Sequence, residues 1–184
     1  MKEIARMQNL AKRNSMPGEK VEKKSSLIRE KLLALSEFQK SEKLMLYFSV
    51  KNEAGTRQLI KEALGQGKQV FLPKTIGRNK MVPVQISSIE EAKKTKQGLF
   101  EPAGKKEAKP SSLDLIVVPG VAFDMQGNRI GMGLGFYDEL LRKTSTRVRL
   151  VGLCFDENLV ESLPTESHDV KMNLIVTDKQ VIRC

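Results

Sequence analysis

The sequence predicts an α/β fold: a mostly parallel sheet with helices on both faces, a three-layer, Rossmann-like open sheet. Short apolar runs alternate with amphipathic stretches along most of the chain. The run at 113–118, LDLIVV, is apolar at nearly every position, as in a strand covered on both faces. The longest apolar runs, 115–118 and 150–155, are strand-sized and too short to span a bilayer. With 184 residues and 40% hydrophobic content, one domain with its own core is expected over 1–184.

The elements follow in order. Residues 2–13 form a predicted helix, with Ile4, Met7 and Ala11 on one face and Lys2, Arg6 and Arg13 on the other. Ser15 and Pro17 read as an N-cap and an early helical proline, opening a second helix to about residue 35. Its apolar stripe is Val21, Ile28, Leu32 and Leu35, and the N-terminal helical pair spans about 2–35. A strand is expected at 44–50, then a helix at 56–64 capped by Thr56 and stopped by Gly65 and Gly67. Strands follow at 69–72, ended by Pro73, and at 81–86. Ser87 or Ser88 should cap a short helix through 92. The stretch 93–112, rich in Lys, Gly and Pro, reads as a long surface loop and a candidate lid. The buried strand 113–118 ends at Pro119 and Gly120, a helix spans 136–143, and strands at 149–155 and 174–177 complete the pattern.

Composition narrows the chemistry. Lys and Arg number 32 against 22 Asp and Glu, a net charge of +10 that suits an anionic partner. Aromatic residues are only 5%, with no Trp, and the lysines are scattered, so a nucleic-acid partner is not expected. Cys154 lies in an apolar run and Cys184 closes the sequence, which speaks against a disulfide framework. The single histidine, His168, has no cysteine beside it, which argues against a zinc site and a Cys/His or Ser/His/Asp nucleophile. Catalysis must then rest on carboxylates, lysines, arginines and backbone amides. The N-terminus MKEIARMQNLAKRN lacks the apolar core of a secretory signal, so a cytoplasmic monomer with no membrane partner is expected.

The most informative stretch leaves the carboxyl end of the 113–118 strand, the edge where open α/β sheets bind ligands. Gly131, Gly133 and Gly135 alternate just before the 136–143 helix. Such spacing lets backbone amides approach an anion, but it suits a flexible surface loop equally well. It fits neither the dinucleotide fingerprint, whose third glycine falls one residue later, nor the Gly-Lys-Ser/Thr of a P-loop.

The longer segment PGVAFDMQGNRIGMGLGFYD, 119–138, resembles the signature PGxxFDxxGxRLGxGxGYYD of the 5-formyltetrahydrofolate cyclo-ligase (methenyltetrahydrofolate synthetase) family. The chain departs from it mainly by Ile130 for Leu and Phe136 for the first Tyr. The resemblance extends to Lys2 and Arg6, to YFSVKNE at 47–53 and to HDVKMN at 168–173. It implies conversion of 5-formyltetrahydrofolate and ATP to 5,10-methenyltetrahydrofolate, ADP and phosphate with Mg²⁺. By resemblance, Lys2, Arg6, Arg129, Ile130, Gly131, Met132, Gly133, Leu134, Gly135, Phe136 and Tyr137 bind ATP, with Arg129 and Tyr137 catalytic. Asp138 and Asp169 would hold the metal; Asp138 taken alone equally suits a first-turn acid favoured by the helix field. Phe48, Glu53, Met132, Leu134 and Phe136 would meet the folate, with one or several glutamates in its tail. No role falls to His168 or Arg13. With Lys2 and Arg6 at a cleft rim, Ile4 and Met7 should rest on the body. A kinase or ligase with another substrate would carry the same loop, whereas a basic nucleic-acid-binding domain would leave it without purpose.

Overall fold

The computed structural model describes residues 1–77 and 80–184. Three helices come first, α1 (Lys2–Asn14), α2 (Gly18–Ala34) and α3 (Ser36–Lys40). β1 (Lys43–Met45), α4 (Arg57–Gly65), β2 (Gln69–Ile76) and β3 (Lys80–Ile86) follow, then a hairpin of β4 (Ala92–Lys94) and β5 (Phe100–Pro102). Next come β6 (Leu115–Pro119), β7 (Ala122–Asp124), β8 (Arg129–Ile130) and α5 (Phe136–Leu141). β9 (Arg149–Leu153), β10 (Leu159–Val160), β11 (Leu174–Val176) and β12 (Val181–Arg183) complete the chain. The main sheet has the order β12-β11-β9-β6-β1-β2-β3; its five inner strands run parallel and its two edges antiparallel.

Both faces of this sheet are covered, because successive strand side chains point to opposite sides. Leu44, Val70, Val117, Val151 and Val176 share one core with Ile28 and Leu32 of α2 and Leu59 and Ile60 of α4. Met45, Phe71, Ile116, Leu150 and Ile175 share the other with Phe123, Leu140 and Leu141. The α/β class and the helices on both faces stand as the sequence predicts. A third, smaller cluster of Val121, Ala122, Ile130 and Leu163 lies in and beside the β10-β7-β8 sheet, with Ala5 and Leu10 of α1 packed on it. Among the described residues no helix is long and apolar enough to cross a membrane.

Several boundaries differ from expectation. Ser15 closes α1 rather than opening α2: its N–H bonds Ala11 O and its hydroxyl bonds Lys12 O. The 44–50 strand leaves the ladder after Leu46, because Tyr47 O, Ser49 N and Val50 N bond Thr56 Oγ1 and Glu53 Oε2 instead. Thr56 therefore does not cap α4 with its side chain, although the helix does begin after it. Pro73 does not end β2. It sits opposite Pro83, whose carbonyl accepts from Ala108 N–H on the far side, so neither proline owes β2 or β3 an N–H. Residues 93–112 are not one loop, since they contain most of the β4–β5 hairpin and a 3₁₀ turn at Pro110–Ser112. Ser88 caps as expected, in a capping box with Glu91, but only a 3₁₀ turn follows. The 136–143 helix stops at Leu141, and the strand at 174–176 is followed by β12, which three residues between turn signals did not reveal.

Candidate active site

A cavity of about 800 Å³ opens at the carboxyl ends of β1, β2 and β6. The chain moves from β1 to β2 on one side, and from β6 through β9 to β11 on the other. The order thus reverses between β1 and β6, the crevice where open α/β sheets take their ligands. Every residue that the resemblance put forward lines this cavity, from Lys2 and Arg6 through Phe48, Glu53 and 129–138 to Asp169.

α1 is turned the opposite way from expectation. Ile4 and Met7 are 62% and 64% exposed, while Lys2, Arg6, Asn9 and Arg13 face the body. Those four lie at i, i+4, i+7 and i+11, one helical stripe. Acceptors outside the helix draw three of them inward, and Asn9 Nδ2 bonds Ala5 O within α1. Lys2 Nζ reaches both oxygens of Asp169 at 2.8 and 3.0 Å, Arg6 Nε donates to Gly131 O at 2.8 Å, and Arg13 Nη1 to Gly120 O at 3.3 Å. Among the described residues, Ala5 and Leu10 supply the apolar anchorage of α1.

The glycine loop is shaped by this arrangement. Gly133 has φ +89°, and a Cβ there would lie 3.2 Å from the Arg6 guanidinium. Gly135, at φ +72°, is the left-handed N-cap of α5. Gly131 has open space around it. Met132 and Leu134 project outward, 60% and 69% exposed. Ile130 instead turns its side chain into the small core and offers the cleft no side chain. α5 has six residues, so the first-turn amides matter more here than any summed helix dipole.

Beneath the loop, the Arg129 side chain is 4% exposed and donates to Asp138 Oδ1 at 2.5 Å and to Val170 O at 3.4 Å. Burial draws its pKa down against the pull of Asp138, though an arginine keeps its charge. Burial tends to raise the Asp169 carboxyl, but Lys2 and the Glu166 N–H outweigh it and hold the group below its ordinary value. Glu166, His168 and Asp169 bring one ligand atom each within 4.8 Å of one another. Asp138 and Asp169 are carboxylates of the kind a hard cation such as Mg²⁺ takes, and both line the cavity; Arg129 engages only Oδ1 of Asp138 among the described residues, whereas both Asp169 oxygens accept from Lys2.

At the other end, Lys51 adopts φ +50° in the tight turn after Val50, and Glu53 Oε2 accepts from Val50 N–H at 3.0 Å. Burial raises the Glu53 pKa, opposed by that hydrogen bond and by Arg13, whose Nη1 lies 4.0 Å from Oε1. Phe48 stacks on Phe100 at 4.4 Å, with the Arg57 guanidinium 4.7 Å from the Phe48 ring. Tyr137 has a hydroxyl without a partner among the described residues, and burial followed by the Glu53 charge pushes its pKa up. Phe100, Tyr47, Glu166 and His168 line the cleft without having been singled out as site residues. Tyr47 and His168 open two of the segments that carry the resemblance, whereas nothing local marks Phe100 or Glu166, and the 93–112 stretch that delivers Phe100 reads as loop.

The model of the 5-formyltetrahydrofolate cyclo-ligase family matches residues 1–178. The chain is 31% identical to the 5-formyltetrahydrofolate cyclo-ligase of Mus musculus over 166 residues, covering 84% of this chain and 82% of that protein. It is 32% identical to a probable 5-formyltetrahydrofolate cyclo-ligase of Schizosaccharomyces pombe, covering 89% and 88%. The solved 5,10-methenyltetrahydrofolate synthetase of Aquifex aeolicus superposes with a TM-score of 0.89 at 34% identity, covering 99% of this chain and 92% of that one. With the signature loop set at the sheet's reversal point and the match running nearly end to end, the chain belongs to the 5-formyltetrahydrofolate cyclo-ligase family.

Proposed function

We propose that the protein converts 5-formyltetrahydrofolate and ATP into 5,10-methenyltetrahydrofolate, ADP and phosphate in a Mg²⁺-dependent reaction. One observation carries this reading: a single cavity has cations and glycine amides at one end and a carboxylate beside aromatic rings at the other. A polyanion and a pterin can therefore lie in it together.

The formyl oxygen is a poor leaving group until the γ-phosphoryl group of ATP is transferred to it. N10 then attacks the formyl carbon, the carbon–oxygen bond breaks to release phosphate, and the N10 proton passes to water. Positioning and charge neutralisation do most of this work, with no nucleophilic side chain. Lys2 and Arg6 neutralise phosphate oxygens, and the amides of 131–135 receive them. Arg129, buried behind Asp138, holds that carboxylate in place and adds positive field. Asp138 and Asp169 would hold Mg²⁺, which supplies charge neutralisation on the phosphates when bound. The unpaired Tyr137 hydroxyl donates to the reacting oxygens; Phe136 has none to offer. Glu53 accepts from the paired N–H donors of the pterin, Phe48 packs on the folate, and Met132 and Leu134 cover it.

Mixing the protein with Mg-ATP and 5-formyltetrahydrofolate should produce the near-ultraviolet absorbance of the methenyl product. ATP turnover that ignores the folate, or a formylated folate left unchanged, defeats the proposal.

A further inference from the structure

Arg13 matches no part of the signature, yet it is the most deeply buried cation of α1 at 8% exposure. It stands one stripe position beyond Arg6 and Asn9, at the opposite end of the cleft from Lys2. Its Nη1 lies between Gly120 O, at 3.3 Å, and Glu53 Oε1, at 4.0 Å. Its buried Nε has no acceptor among the described residues. The backbone around it is pinned to the Glu53 turn, because Asn52 Nδ2 donates to the carbonyls of Arg13, Asn14 and Met16. The Glu53 carboxylate is thus held from two sides. Val50 N–H takes Oε2, and the guanidinium stands beside Oε1 without closing on it.

Resting on the proposed folate reading, we infer that Arg13 is a positioning residue that keeps Glu53 charged and its Oε1 open toward the cleft, so that this end selects ligands presenting paired N–H donors. An ionised carboxylate accepts at both oxygens, whereas a protonated one turns one oxygen into a donor and loses that match. Glu53 lies where burial disfavours its charge. The groups facing it or lining the same pocket are Arg13 from α1, Tyr47 from the exit of β1, Lys51 from its own turn, Tyr137 from α5 and, from the exit of β9, Cys154, whose thiol burial keeps neutral. The exit of β6 adds only Pro119 and Gly120, which carry no titratable side chain. Both tyrosines are neutral and pushed further so by burial, which leaves Arg13 the only buried cation among these groups.

The test compares wild type with Arg13→Met, Arg13→Lys and Glu53→Gln by methenyl formation across pH. Without the guanidinium, burial should push the Glu53 carboxyl higher still, because the Arg13 charge that opposes it is gone. Arg13→Met should therefore raise KM for 5-formyltetrahydrofolate severalfold on the acid side of neutrality, leave KM for ATP within about twofold, and recover as pH rises. Arg13→Lys should retain most of the wild-type profile, and Glu53→Gln should lose folate affinity at every pH. A KM that rises equally for both substrates with no recovery at high pH reduces Arg13 to structural support and overturns the inference. An active wild type with an unchanged Arg13→Met overturns it alone. A wild type that forms no methenyl product overturns it together with the function on which it rests.

Discussion

Gly133→Ala separates backbone shape from side-chain chemistry in the phosphate loop. At φ +89° an L-residue is strained, by about 1–2 kcal/mol on the scale of left-handed conformations. The added Cβ would also lie 3.2 Å from the Arg6 guanidinium, tight enough that the guanidinium must give by a few tenths of an ångström. Both effects oppose the loop geometry, so ATP affinity should fall about 5- to 30-fold for that energy. Gly131→Ala is the control for the ligand-free loop, since an added Cβ there meets nothing within 4 Å. Calorimetric titration with Mg-ATP gives the Kd, and thermal melting reports the ligand-free loop. Gly131→Ala should melt like wild type. A Gly133→Ala variant that binds ATP within twofold of wild type would refute the reasoning, because the loop would then not need this conformation.

Further outcomes follow from packing and charge. Phe123 is fully buried and wedged where a Cβ at Gly120 or Gly152 would lie within 2.4 Å of its ring, so Phe123→Ala should cost about 3–5 kcal/mol in denaturant unfolding. A loss below about 1 kcal/mol would show that this contact is not tightly packed. Asp138→Asn should abolish turnover and also lower stability by about 1–3 kcal/mol, because Arg129 is left buried beside a neutral acceptor; retained turnover removes Asp138 from the metal site. Arg183 holds the Glu37 carboxyl at about 2, against an ordinary 4.5 that also describes the unfolded chain. That contribution is complete above about pH 4.5 and is lost as pH falls toward 2. Arg183→Gln should flatten this part of the melting-temperature profile, and an unchanged slope would rule the pair out as its source.

What the sequence determined by itself is local or periodic. The alternation of elements, the strands covered on both faces and the glycine spacing before α5 all depend on neighbours within a few positions. The signature at 119–138 belongs here too: its turn, loop and helix start are contiguous, and they bring one wall of the cleft with them. The tertiary structure decided which way each face points. Ile4 and Met7 promised an inward apolar stripe, but α1 carries four polar groups on its other side, and the acceptors of three of them, Lys2, Arg6 and Arg13, come from residues 169, 131 and 120. Likewise Pro73 reads as a strand end until Pro83 is set opposite it, and 47–50 reads as strand until Thr56 and Glu53 take its backbone bonds. Periodicity distinguishes the faces of an element; the partner each face meets is set by chain segments far away in sequence, and for polar groups that partner sets the energy.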